Sequence, residues 1–184
     1  MRYFPAAVLT VVAILHSTAH AATLPTPEDS LTTATISAVK PWPFPKAGEA
    51  PMVKEQAFIE KLTREHGSDL LVVNFWATNC APCVAEMPYF TKVSNEYPTA
   101  RVRIVGLSAD LKRDHEKAVL PFLKDRKIPY ANYHLFLDQE TLITWFSEKW
   151  PGELPATFFY DKSGKKVGEI VREVSYEELR KTIE

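Results

Sequence analysis

The sequence predicts an α/β domain, a central mixed β-sheet covered by helices. Apolar runs of strand length alternate with stretches of helical periodicity through the middle of the chain. The last part changes pattern: two short strands joined by the hairpin signal Asp-Lys-Ser-Gly at 161–164, then a closing helix. There is no internal repeat and no second domain, and alternation followed by a hairpin favours a mixed rather than purely parallel sheet.

The chain opens with a different kind of segment. Met1-Arg2 is a short basic start, residues 6–15 form an apolar core, and Ala19-His20-Ala21 gives the small-x-small pattern of a signal-peptidase site. A core of that length is too short for a membrane span, which needs about 20 residues. Residues 1–21 are therefore expected to be a cleavable signal peptide that releases the protein into the periplasm without a stable membrane anchor. Residues 22–53 mix Pro25, Pro27, Pro41, Pro43, Pro45 and Pro51 with a Thr/Ser/Ala-rich stretch, which predicts an extended N-terminal segment. Trp42 and Phe44 are costly to leave wet and are expected to pack partly onto the domain.

The folded domain is expected over residues 54–184. Phe58, Ile59 and Leu62 recur at helical spacing, and Gly67 is a plausible stop. The run Leu-Leu-Val-Val-Asn-Phe-Trp-Ala at 70–77 is too continuously apolar for a half-exposed strand, so it belongs in the centre of the sheet. A helix follows to about Glu96, with Pro88 inside it. Residues 101–108 form another buried strand. The charged stretch 112–127 reads as helix, and Pro121 within it implies a break or a late start. A short strand at 133–137 and a helix at 141–149 come next, the latter with Leu142, Trp145 and Phe146 on its apolar face. Strands at 156–160 and 166–171 form the hairpin. A helix over 175–183 closes the chain, with Ser175 as N-cap and Glu178 at the capping-box position.

Between the central strand and its helix stand the only two cysteines, Cys80 and Cys83. A helix N-terminus carries partial positive charge and free N–H groups, which favour thiolate over thiol. Cys80 is thereby made reactive, and Cys83 lies within reach to resolve a mixed disulfide. Other uses of the pair fit poorly. Structural zinc needs four ligands, and His66, His115 and His134 are scattered. Haem attachment needs histidine after the second cysteine, where this chain has Val84. A bridge closing so short a loop has little stabilising value. No metal or cofactor is expected. The formal net charge of −1, without a basic stripe, argues against nucleic acid as a partner.

The segment Asn-Phe-Trp-Ala-Thr-Asn-Cys-Ala-Pro-Cys-Val-Ala-Glu-Met-Pro at 74–88 resembles the active-site segment of the thioredoxin superfamily, and more narrowly of the exported TlpA/ResA/DsbE-like thiol–disulfide oxidoreductases. Leu154-Pro155-Ala156-Thr157 resembles the family's cis-proline loop, and the strand and helix at 133–149 are similar to the insertion that sets this group apart. The resemblance implies a thioredoxin-like fold with an extra β-α insertion before the cis-proline loop. It assigns Cys80 as the exposed attacking thiol and Cys83 as the shielded resolving thiol. Pro155 would be cis, with the Leu154 backbone open to a substrate peptide, and Trp76 would lie beside the thiols in a docking surface or in the core. Glu86 matches the family's acidic position and would relay a proton, since Asn74 stands where thioredoxin carries a buried acid.

One departure concerns Asn79, where the family has tryptophan; an amide there changes the docking surface beside Cys80. Pro82 has no N–H to give a thiolate, which favours a reductant closer to thioredoxin than to a strong oxidase. The implied function is reduction of disulfides in exported proteins, of the cytochrome c maturation or metal-site assembly type, with re-reduction by a membrane thiol donor of the DsbD/CcdA type. The alternatives are a copper-binding chaperone using the same two thiols, with His134 as the histidine in the broad region, and a peroxidase, whose single-cysteine spacing fits less well.

Overall fold

The computed structural model describes residues 42–136, Phe146 and residues 150–184. The signal-peptide expectation, most of the proline-rich extension and the 141–149 helix, apart from Phe146, lie outside them. In chain order the elements are β1 (Met52–Val53), α1 (Gln56–Arg64), β2 (Leu70–Trp76), α2 (Ala81–Glu96), β3 (Val102–Ser108), α3 (Leu120–Asp125), β4 (Ala131–Leu135), β5 (Ala156–Asp161), β6 (Lys166–Ile170) and α4 (Tyr176–Ile183). The six strands form one sheet in the order β1-β4-β3-β2-β5-β6. Strands β1 to β4 pair in parallel, whereas β5 and β6 run antiparallel to their neighbours. The sheet is mixed, as expected, and β2 lies inside it.

The unbroken apolar character of β2 follows from cover on both faces. Leu71, Val73 and Phe75 point into one cluster with Ile59 and Leu62 of α1. Val72 and Trp76 point into the other, with Met87, Phe90 and Val93 of α2 and Leu179 of α4. Each large apolar side chain fully buried in this way contributes roughly 1.5–3 kcal/mol. Asn74 shares the parity of Val72 and Trp76, so its amide also faces α2.

Several boundaries differ from expectation for local reasons. Proline has no N–H to donate, and the 112–127 stretch enters its helix late: a 3₁₀ turn at Lys112–Asp114 and a π turn at His115–Val119 precede α3, which carries Pro121 in its first turn. The strand expected at 133–137 runs Ala131–Leu135 instead, in register with β3 through Val105↔Ala131 and Ser108↔His134. The two-residue β1 is too short for any periodicity and is defined by pairing with His134 and Leu135. Ser175 caps α4 by accepting from the Glu178 N–H, but the Glu178 carboxylate binds Arg172 rather than closing the box. Trp42 and Phe44 do pack onto the domain: the Trp42 indole donates to the Tyr133 hydroxyl at 2.8 Å, and its ring meets Phe58 edge-on.

Candidate functional site

Strand β2 ends at Trp76, and the turn Ala77-Thr78-Asn79 delivers the chain to Cys80, the N-cap of α2. The N-cap backbone is extended, and the Cys83 N–H donates to Cys80 Sγ at 3.3 Å. Pro82 falls in the first helical turn, where a missing N–H costs no intrahelical bond. Cys80 and Cys83 are joined as a disulfide with Cα atoms 5.2 Å apart. Their surroundings differ: Cys83 is fully buried, Cys80 is half-buried, and Asn79, Ala81 and Pro82 are exposed around it. An incoming group can therefore reach the Cys80 sulfur and not the Cys83 sulfur.

The Leu154–Pro155 peptide is cis. Pro155 precedes Ala156, which pairs with Phe75 across β2 and β5. The cis loop therefore lies at the end of β2 that carries the cysteine turn. Leu154 is half-buried and packs on the cluster that holds Cys83 and Trp76, while Pro155 is buried.

Trp76 corrects one expectation, that it would share in a docking surface. It is fully buried, its indole N–H donates to Asn132 Oδ1 at 3.1 Å, and its ring stacks on Phe122. The core half of its two readings holds, because a β2 side chain of that parity is covered by α2 and α3. Gly106 makes the contact possible. A Cβ there would stand 2.0 Å from Asn132 Oδ1 and 3.0 Å from Trp76 Nε1.

Behind the disulfide lies a buried polar group. Glu86, three residues after Cys83 and on the same face of α2, is completely buried. Asn74 Nδ2 donates to its Oε1 at 2.8 Å and to Thr157 Oγ1 at 3.2 Å. The Val174 N–H donates to Glu86 Oε2 at 2.9 Å. Burial pushes the Glu86 carboxyl up to about 7, against the opposing pull of the Val174 and Asn74 hydrogen bonds. Two polar atoms nearby, Asn74 Oδ1 and the Tyr130 hydroxyl, are buried with no hydrogen-bond partner among the described residues. Burial also raises the Tyr130 hydroxyl pKa, and Glu86 adds to the shift.

A second polar group braces the turn from the other side. The Asp110 carboxylate accepts from the Thr78 N–H at 3.0 Å, from the Thr78 hydroxyl at 2.5 Å and from the Ser108 hydroxyl at 2.8 Å. The Asp110 carbonyl meets His134 Nε2 at 2.8 Å, and His134 Nδ1 meets His115 Nδ1 at 2.8 Å. His134, which the sequence left open as a thiol-site ligand, has both ring nitrogens engaged in this brace. Thr78, Ser108 and Asp110 carry no motif signal; only the folded register of β2 against β3, Trp76↔Ser108, brings them together. Among the described residues no group of three or more His, Cys, Asp or Glu could hold a metal ion, and no helix is long and apolar enough to cross a membrane.

Comparison with known proteins agrees with this geometry. A family model described as the AhpC/TSA family matches residues 50–167. The thiol-disulfide oxidoreductase ResA of a Bacillus cereus strain is 39% identical over 110 residues, 58% of this chain and 57% of that protein. A thiol:disulfide interchange protein DsbE homolog of Paracoccus denitrificans is 34% identical over 133 residues, 70% of this chain and 66% of that one. The chain thus matches only 57% of the length of that ResA relative. Among solved structures, a thioredoxin-related protein from Neisseria meningitidis serogroup B superposes with a TM-score of 0.53 at 25% identity, covering 63% of this chain and 83% of the other. A DsbF homologue from Corynebacterium diphtheriae gives 0.54 at 24% identity, over 64% and 72% of the two chains, which bears on the fold alone.

Proposed function

This chain belongs to the AhpC/TSA family, and within it we propose that the protein is a thiol–disulfide oxidoreductase, a reductant of disulfides in exported proteins. The observation that carries the reading is the asymmetry of the pair: a reachable Cys80 sulfur at a helix N-cap, bonded to a Cys83 sulfur that is fully buried. The matched ResA and DsbE relatives, named for thiol–disulfide chemistry, support it.

In the reduced protein, the Cys80 thiolate attacks one sulfur of a substrate disulfide. That S–S bond breaks, a Cys80–substrate disulfide forms, and the substrate's other sulfur leaves as a thiolate that takes up a proton. Cys83 then gives up its proton, and its thiolate displaces the second substrate sulfur from Cys80. The substrate gains two electrons and two protons, and the enzyme is left with the Cys80–Cys83 bond. A membrane thiol donor of the DsbD/CcdA type would restore the dithiol by the reverse exchange.

We assign Glu86 as acceptor of the Cys83 proton, because a carboxyl titrating near neutrality one helical turn away can both take and return it. Asn79, Pro82 and the Leu154 backbone at the cis-Pro155 loop are the surface to which a substrate segment docks. Trp76 supports that surface from beneath. Residues 1–21 supply export to the periplasm, and cytochrome c maturation or metal-site assembly is the setting such a reductant suits.

The test is a trap. Cys83→Ser stops the exchange after the first step, so the mixed disulfide accumulates on Cys80. Substrates captured in the native compartment, and released by dithiothreitol, support the reading. A Cys83→Ser protein that captures no more than the Cys80→Ser, Cys83→Ser double variant overturns it.

A further inference from the structure

We propose that Asp110 is a positioning residue for Cys80 that keeps the pair strongly reducing: its carboxylate holds Thr78, two residues before Cys80, and sets a negative charge at the turn that carries the attacking sulfur. The inference rests on the exchange reaction assigned to Cys80 above.

The geometry is specific. Both Asp110 oxygens lie 3.0 Å from the Thr78 N–H nitrogen, and the Thr78 hydroxyl donates to the same group. Thr78 is two residues before Cys80, in the turn that delivers it to α2, so the Asp110 carboxylate is tied directly to that turn. The Ser108 hydroxyl, from a fully buried residue at the end of β3, completes the set. Among the described residues no Lys, Arg or His forms an ion pair with Asp110, so its charge is held only by neutral donors and its field persists at the turn.

Asp110 is itself fixed from behind. A carbonyl only accepts, so the His134 Nε2 that meets the Asp110 carbonyl carries the proton. His134 Nδ1 and His115 Nδ1 share a hydrogen bond at 2.8 Å. His134 is fully buried, and the two rings stack at 23°. The Glu116 carboxylate faces His115 Nε2 at 3.9 Å, and Lys112 sits over the Phe136 ring that flanks His134. A neutral side chain could cap Thr78 as well as Asp110 does. What a carboxylate adds is a charge that opposes a thiolate, in the same direction as the missing N–H of Pro82.

The experiment uses the full reduced chain. Asp110→Asn keeps the shape and removes the charge, so the pH midpoint of Cys80 alkylation falls by about half a unit and the thiolate fraction at a given pH below the midpoint rises about threefold. In a glutathione redox series the reduced fraction rises correspondingly. Asp110→Glu, which keeps the charge, returns the midpoint toward the wild-type value. Ser108→Ala, which removes one donor from the carboxylate and the acceptor of the Asp110 N–H but leaves both Thr78 bonds in place, moves the midpoint upward by a smaller step. A role confined to holding the loop would lower thermal stability in the Asn and Glu variants alike and leave the midpoint in place. That outcome, or no shift in either Asp110→Asn or Ser108→Ala, overturns the proposal. If the Cys83→Ser trap captures nothing while Asp110→Asn still shifts the midpoint, the substrate reading falls and this one stands.

Discussion

Glu86 and Asn74 meet at 2.8 Å inside the core, a carboxylate from the second turn of α2 accepting from an amide on the central strand. The carboxylate has arrived at its site from the helix side, and the strand supplies a neutral partner. The arrangement leaves Asn74 Oδ1 without a partner, an acceptor beside a carboxyl that takes up a proton near neutrality.

The first prediction concerns stability against pH. The Glu86 carboxyl titrates near 4.5 when unfolded and at about 7 when folded, so the folded state binds the extra proton between those values. Stability from this group is therefore greatest below pH 4.5 and is lost as pH rises to 7, by up to about 3 kcal/mol. Burial lowers the pKa of His66 and His115, so these groups act in the opposite sense and cost stability as pH falls below 6.5. Glu86→Gln should remove only the first effect. Denaturant melts of wild type and variant from pH 5 to 8 check this: the difference between them must change with pH through that range.

Asn74→Asp puts a second carboxylate against Glu86. Two acids sharing one proton cannot both ionise cheaply, so the first proton leaves more easily and the second is held above the present value of about 7. NMR titration of the two carboxyl carbons should show a coupled pair, and resolution of a Cys80 mixed disulfide should slow at neutral pH.

Pro82→Ala restores a backbone N–H in the first turn of α2, close to Cys80. The thiolate gains a donor, and equilibration with glutathione should show a less reducing pair. The wild-type potential should lie nearer that of thioredoxin than that of DsbA, and a DsbA-like value would refute the reasoning from Pro82.

Gly106→Ala should destabilise the fold by about 2–4 kcal/mol, through overpacking and the loss of the buried Trp76–Asn132 hydrogen bond. Replacing Asn132 by Ala in the same chain makes room for the new methyl, so the double variant should lose less than the sum of the single variants. Chemical denaturation of the four proteins reads the coupling.

The sheet was largely legible because its signals are local. The run of β2, the hairpin at 161–164 and the Ser175 cap each declare themselves within a few residues. Cys80, Cys83 and Pro155 were legible for the same reason, as short motifs at element junctions. What was not legible depends on register between strands far apart in the chain. Asp110 lies 32 residues from Thr78, Asn132 56 from Trp76 and Val174 88 from Glu86, and each contact exists only once the sheet has assembled. Trp76 shows the same limit in reverse. Its closeness to Cys80 in sequence suggested a surface role, and strand parity turned it inward.

The buried Cys83 has a kinetic consequence. If only the Cys80 sulfur can be reached, every exchange partner must approach it in line from the same side, whether it delivers electrons or receives them. Under the proposed function, donor and acceptor then exclude one another, and turnover should be ping-pong, with each acting as a competitive inhibitor of the other's half-reaction. Under the same proposal, the exposed patch around Asn79 and Pro82 then has to suit both the electron donor and the substrate.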